Sequence, residues 1–354
     1  IDYVKKKYKL SKVIKLASNE NPVGPSKMAL NVLKKSHENI NRYPDGKCDA
    51  LKQEIVKFIS KSHVKTKNII VGNGSSEILE LVAKAFLTKQ SEALFSQHSF
   101  IVYKLVSNFM NAKVQESKLI TKAGKNYMSS DLVDMKNRIT SKTKVIFLPN
   151  PANPTGTLLS HDVIDKFISK ISKKIVVVID EAYIEYSCIR GHKSCLDLLK
   201  KYNNVIITRS FSKIYALAGV RVGYGLANEE LISKLNNKRQ PFNVNQVAQL
   251  MAIKSLSDKK FLTKSLKDYE LCRLFLIEQL DKLDVNYLDS YANFITINFG
   301  KTSKSIFNKL LKSGIIVRPL DNYKLPNYLR LTIGTMQECK LFIAALKKIL
   351  SKKR

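Results

Sequence analysis

The sequence predicts an α/β fold, a large domain built on a mainly parallel sheet joined to a smaller α+β domain. Three observations lead to it. Short apolar runs bounded by turn residues recur at 68–72, 93–96, 144–148, 174–179, 204–208 and 220–226, which is how strands buried on both faces read. Helical periodicities fall between them at 76–87, 100–110, 160–172 and 229–237, and strand alternating with helix implies parallel strands joined by crossovers. After a long helical stretch at 259–283, the order becomes strand 294–299, helix 303–313, strands 315–318 and 328–333, and helix 337–350, the mark of a separate α+β unit.

These elements place the large domain at 22–256 and give 1–21 and 257–354 to the small one. With 354 residues, 44% of them hydrophobic, the chain can bury a large core. No internal repeat or low-complexity linker separates the two units, so a cleft between them is the expected ligand site.

Bulk composition narrows the function. The longest apolar stretches, such as 175–179, reach strand length and fall far short of the roughly 20 residues of a membrane helix. No membrane partner is expected. Residues 1–9 lack the pattern of a secretory signal, which points to the cytoplasm. Cys48, Cys188, Cys195, Cys272 and Cys339 form no CxxC pair and no Cys/His cluster, so reduced thiols are expected, with no disulfide and no metal. The net charge of +32 taken alone suggests a nucleic acid or an anionic membrane. The lysines are scattered in ones and twos, however, and no basic tract accompanies them, so a solvated surface is expected and no nucleic-acid partner.

The chemistry is concentrated in turns that follow the apolar runs. Thr208-Arg209-Ser210-Phe211-Ser212-Lys213, with Arg221 eight residues after the lysine, puts hydroxyls and a guanidinium beside an amine. The first two hold a phosphate dianion and the third condenses with an aldehyde; phosphate plus aldehyde describes pyridoxal phosphate. Val178-Ile179-Asp180-Glu181-Ala182-Tyr183 ends a strand on an acid, where strand tips face a ligand crevice. A carboxylate there suits a pyridinium nitrogen, although Asp180 also fits a cap of the next helix.

Gly72-Asn73-Gly74-Ser75-Ser76-Glu77 joins a strand to a helix and offers free N–H groups to an anion, or a plain N-cap by Ser75. Asn150-Pro151-Ala152-Asn153-Pro154-Thr155-Gly156 is a rigid turn that either aims the Asn153 amide into the crevice or is purely structural.

Together with Lys15-Leu16-Ala17-Ser18-Asn19-Glu20-Asn21-Pro22, Arg42-Tyr43-Pro44-Asp45-Gly46 and Leu329-Arg330-Leu331-Thr332-Ile333-Gly334, these motifs resemble the aspartate-aminotransferase-like, fold type I pyridoxal-phosphate enzymes over nearly the whole chain. Within that group they are most similar to the histidinol-phosphate aminotransferases. The resemblance implies that Lys213 holds the cofactor as a Schiff base, that Asp180 pairs with the ring nitrogen, and that Asn153 and Tyr183 bond the ring hydroxyl. It places Ser75, Ser76, Ser210, Ser212 and Arg221 around the phosphate and stacks Phe100 on the ring, a position a core Phe also fits. Tyr43 is implied to reach the phosphate of a neighbouring subunit, hence a homodimer with shared active sites. Arg330 is implied to bind the anionic group of the amino substrate and Arg318 to be a second phosphate-binding arginine, with Asn19 on the substrate side and a small-molecule amino donor and keto acid as the partners. Ser76 and Ala152 stand where that family often has Asp or Asn and Asn. The implied reaction is L-histidinol phosphate plus 2-oxoglutarate giving imidazole-acetol phosphate and L-glutamate, in histidine biosynthesis. An aromatic-amino-acid aminotransferase, a phosphothreonine decarboxylase of the same fold, and a Lys-rich nucleic-acid-binding protein on an inactive fold are the competing readings.

Overall fold

The structure, a computed structural model, describes residues 1–34, 36–61, 63–124 and 127–351. Strand β1 (Ile14–Lys15) precedes the main sheet, which comprises β2 (Ile69–Gly72), β3 (Glu92–Ser96), β4 (Lys113–Ser117), β5 (Thr143–Pro149), β6 (Val176–Asp180), β7 (Val205–Ser210) and β8 (Gly223–Leu226). Their order is β2-β8-β7-β6-β5-β3-β4. Only β8 runs against its neighbours, pairing antiparallel with β2 and β7; the other pairs are parallel. Helices cover both faces, which is why a run such as Val177-Val178-Ile179 is apolar throughout and fully buried. Each such side chain contributes about 1.5–3 kcal/mol.

The later strands are β9 (Phe294–Asn298), β10 (Ile315–Ile316), β11 (Arg318–Pro319) and β12 (Tyr328–Thr332). β9, β12 and β11 form an antiparallel sheet, backed by helices Lys259–Lys282 and Met336–Ser351. β1 pairs parallel with β10, Ile14 opposite Ile315, so the N-terminal segment is held by the late part of the chain.

The elements differ from expectation in several places, among them that the strand expected at 220–226 begins only at Gly223. The single strand expected at 315–318 is two strands in two sheets, because the chain crosses at Val317 and Pro319 has no N–H to extend a ladder. The helix expected to reach 172 ends at Ile168, followed by short Ser side chains that compete for backbone bonds. Strand β4, Lys-Val-Gln-Glu-Ser at the sheet edge, is too polar to register as an apolar run.

Among the described residues no helix is long and apolar enough to cross a membrane. All five cysteines are free, with only Cys188 exposed.

Candidate active site

β5, β6 and β7 are parallel and adjacent, so their C-terminal tips open on one edge, where ligands of such sheets bind. Every site residue expected from the sequence except Tyr43 lines one cavity there, of about 320 Å3, between that edge and β11–β12.

At one end is an anion cradle. Gly74 has φ +75° and caps helix Ser75–Phe86, so Ser75 opens the helix instead of capping it from outside. A Cβ at Gly74 would run into the Arg221 guanidinium, and one at Gly223 into the backbone of Gly74 and Ser75. Glycine at both positions therefore lets β8, the helix N-terminus and Arg221 close up together. Arg221 Nη1 donates to Ala218 O at 3.0 Å and to Ser212 Oγ at 3.4 Å, and the Ser212 amide donates to Ser210 Oγ at 3.0 Å. Helix dipole, hydroxyls and guanidinium converge on one spot, which suits a phosphate dianion.

At the other end is Asp180, the buried last residue of β6. Tyr103 Oη donates to its Oδ2 at 2.8 Å and Thr208 Oγ1 to its Oδ1 at 2.9 Å. The helix-capping alternative amounts to one longer bond, from the Ala182 amide at 3.3 Å. Burial pushes the carboxyl above its ordinary value, while the two hydroxyls and the amide pull it back. A cation placed against it would complete the compensation. Tyr103 itself is fixed by stacking on Phe147, with centroids 5.0 Å apart, and by the edge of Phe100 at 5.8 Å.

Next door, Glu181 makes a buried ion pair with Arg209 at 2.9 Å and accepts from Ser194 and from the Cys195 amide. This pair ties the tips of β6 and β7 together.

Lys213 lies between the two ends. Burial pushes its amine down to about 8, helped by Arg330 and Arg221 and opposed by Glu20 and Asp180. Its Nζ is 5.5 Å from the centre of the Tyr183 ring. The Tyr183 hydroxyl accepts from Asn19 Nδ2 at 3.0 Å.

Arg330 of β12 closes the cleft from the other side. It is buried, donating to Asn153 Oδ1 at 2.5 Å and to Ala17 O at 3.0 Å, and its Nε has no hydrogen-bond partner. A buried guanidinium with an unused donor is a place for an anion. Arg318, exposed, stands directly opposite it in the β11–β12 register. The Asn153 amide, expected in the crevice, is there and engages Arg330.

Tyr43 is not in this cavity. It is 82% exposed, its ring stacked on Phe242 at 4.7 Å. Three lining or supporting residues escaped the sequence reading: Tyr103, Thr208 and Tyr323. Tyr103 and Thr208 read as core helix and core strand. The available signals were that Tyr103 follows Phe100 by three residues, on the same helix face, and that Thr208 is the register partner of Asp180.

An anion cradle, a buried carboxylate, a lysine of lowered proton affinity between them and the Phe100 ring in the wall fit pyridoxal phosphate in charge and in donor type. Residues 11–346 match the family described as aminotransferase class I and II. The chain is 39% identical to the histidinol-phosphate aminotransferase of Caldicellulosiruptor saccharolyticus, over 99% of this chain and 95% of that one. It is 39% identical to histidinol-phosphate aminotransferase 2 of Haemophilus influenzae, over 99% and 93%. Its fold superposes with a TM-score of 0.89 on the crystal structure of histidinol-phosphate aminotransferase from Sinorhizobium meliloti in complex with pyridoxal-5'-phosphate, at 21% identity and covering 100% of this chain and 95% of that one. The chain belongs to the class I and II aminotransferases, and within them to the family of the histidinol-phosphate aminotransferases.

Proposed function

We propose that this chain, a pyridoxal-phosphate-dependent transaminase, moves the amino group of L-glutamate to imidazole-acetol phosphate, giving L-histidinol phosphate and 2-oxoglutarate in histidine biosynthesis. The observation that carries the substrate class is the register of Arg318 opposite Arg330 in the cleft that holds Lys213. Two cations at one mouth suit substrates with an anionic group away from the reacting amine: the phosphate of one partner, the side-chain carboxylate of the other. The 39% identity to relatives of that name supports the same reading.

When bound, the cofactor supplies an aldehyde that captures the amine and a protonated ring that withdraws electrons from the α-carbon. In this reading Ser75, Ser76, Ser210, Ser212 and Arg221 hold its phosphate, Asp180 keeps its ring nitrogen protonated, Asn153 and Tyr183 face its ring hydroxyl, and Phe100 covers its ring. Arg330 orients the substrate by its anion, with Asn19 positioning Tyr183. Lys213 Nζ, already drawn toward its neutral form by burial, takes the proton from the substrate α-carbon.

A homodimer with shared active sites completes the proposal, with Tyr43 reaching a neighbouring subunit's phosphate site. The exposed apolar surface at Tyr43, Phe242 and Ile40 supports it, because large exposed apolar residues mark association surfaces. The division into 22–256 and 1–21 with 257–354 is supported by the β1–β10 pairing. A cytoplasmic location is supported by five free thiols. Sedimentation of the wild type and of Tyr43→Ala tests the dimer and its shared site: a dimer whose Tyr43→Ala form binds the cofactor more weakly is expected, and a monomer with intact affinity would remove this part.

The substrate assignment is tested by glutamate formation from 2-oxoglutarate with L-histidinol phosphate, L-phenylalanine or O-phosphothreonine as donor. Histidinol phosphate is expected to give the highest kcat/KM. Preference for phenylalanine, or carbon dioxide release from phosphothreonine, would replace it.

A further inference from the structure

Arg318 and Arg330 are joined by the loop between β11 and β12, and that loop also puts a phenol into the cleft. Tyr323 ends the tight turn Asp321–Tyr323. It is buried and lines the cleft together with both arginines. Its hydroxyl faces the Arg330 guanidinium, with Tyr183 and Arg318 next nearest in influence. Burial pushes that hydroxyl above the ordinary phenol value although the two arginines pull it down, so it keeps its hydrogen and can donate it. Arg330 already gives hydrogens to Asn153 and Ala17. Fewer of its donors remain for an anion, and a phenol beside it adds one.

The loop is fastened to the large domain at this residue. His98 Nδ1 lies 2.5 Å from Tyr323 O; a carbonyl only accepts, so Nδ1 carries the hydrogen and donates it. Leu320, Tyr323 and Leu325 pack with Leu119 and Met128, which follow β4. Lys324 adds a pair with Glu116 of β4 at 3.3 Å, too exposed to contribute much. His98 stands in the turn between β3 and helix Ile101–Phe109 with φ +59°, a conformation few residues with a Cβ adopt. It lines a small outer pocket of about 60 Å3, and Phe100 and Tyr323 are the residues that line both that pocket and the cleft. The imidazole therefore holds the loop from the far side of the wall that Tyr323 forms.

Building on the proposed role of the two arginines as anion contacts, we propose that Tyr323 is a substrate-binding residue, donating its hydroxyl hydrogen to the anionic group that Arg330 holds, and that His98 is the positioning residue that keeps it there.

The test is the half-reaction of the holoenzyme, in which an amino donor bleaches the visible band of the bound cofactor. Stopped-flow absorbance at increasing L-glutamate, and separately L-histidinol phosphate, gives a half-saturating concentration and a limiting rate. Tyr323→Phe keeps the ring and removes the hydroxyl. Half-saturation is expected to rise at least about tenfold, as the loss of a hydrogen bond to a charged group implies, with the limiting rate changing far less. His98→Gly keeps the left-handed turn and removes the imidazole, and the same rise is expected. His98→Asn also donates from an atom bonded to Cγ and tolerates that turn, so it should restore half-saturation. Adding His98→Gly to Tyr323→Phe should raise half-saturation little further, because His98 acts through Tyr323. Unchanged half-saturation in Tyr323→Phe, additive losses in the double variant, or a limiting rate that falls together with cofactor retention would overturn the proposal. If histidinol phosphate alone fails to bleach the wild type, the substrate assignment falls, and the glutamate series still decides the role of Tyr323.

Discussion

Tyr103 donates its phenolic hydrogen to Asp180 Oδ2 at 2.8 Å, so a residue that reads as helix core controls the proton affinity of the acid at the tip of β6. Desolvation raises the Asp180 carboxyl, and the Tyr103 and Thr208 hydroxyls oppose it. Tyr103→Phe removes one of the two and leaves the packing against Phe147. The carboxyl should then bind a proton more readily, with kcat falling less than in Asp180→Asn, where the loss of the charge should cost roughly 10²–10³-fold. Steady-state rates of the two variants across pH check the order; equal losses would mean Tyr103 acts only as packing.

Lys213 gives a pH dependence of definite sign. Its amine reacts only when neutral, and burial lowers its pKa from 10.5 to about 8. The rate at which the apoprotein captures pyridoxal phosphate should therefore rise with pH and level off above about 8. Arg330→Gln removes a cation that favours the neutral amine, so its midpoint should move upward. Stopped-flow absorbance reads both; a wild-type midpoint near 10.5 would contradict the burial described.

The two arginines should separate by substrate. Arg330→Gln is expected to raise KM for every donor and acceptor, since the residue sits buried against Asn153. Arg318→Ala, at the exposed rim, is expected to raise KM roughly 10- to 100-fold for phosphorylated substrates and to leave glutamate less affected. Equal effects on both substrates would deny Arg318 its phosphate role.

The Glu181–Arg209 pair predicts a stability result independent of catalysis. Both side chains are buried, 1% and 8% exposed, so Glu181→Gln strands a buried guanidinium and should cost about 3–5 kcal/mol. Replacing both partners, as Glu181→Leu with Arg209→Met, should cost less than either single change. Urea unfolding of the four proteins makes the comparison, and additive losses would argue against coupling.

Much of this was legible in the sequence because strand tips and turns carry the reactive groups: Asp180 ends an apolar run, and Ser210, Ser212 and Lys213 follow another. What stayed hidden depends on tertiary approach. Tyr103 joins the site only because its helix packs beside β5 and β6, and Thr208 only because the β6–β7 register sets it next to Asp180. Glycine at 223 looked like ordinary strand composition, yet its missing Cβ lets the helix N-terminus touch β8. Tyr43 lies outside its own chain's cleft, exposed and stacked on Phe242. The split at Val317 turns on which of two sheets the chain joins, information that the short run Ile315-Ile316-Val317-Arg318 does not hold.

The most direct test of the central claim is the visible absorption spectrum of the protein reconstituted with pyridoxal phosphate, wild type against Lys213→Ala, before and after adding L-histidinol phosphate. A lysine-dependent visible band that the substrate bleaches, more efficiently than L-phenylalanine or O-phosphothreonine does, is the result expected. The same band with and without Lys213, or none in either protein, would contradict it.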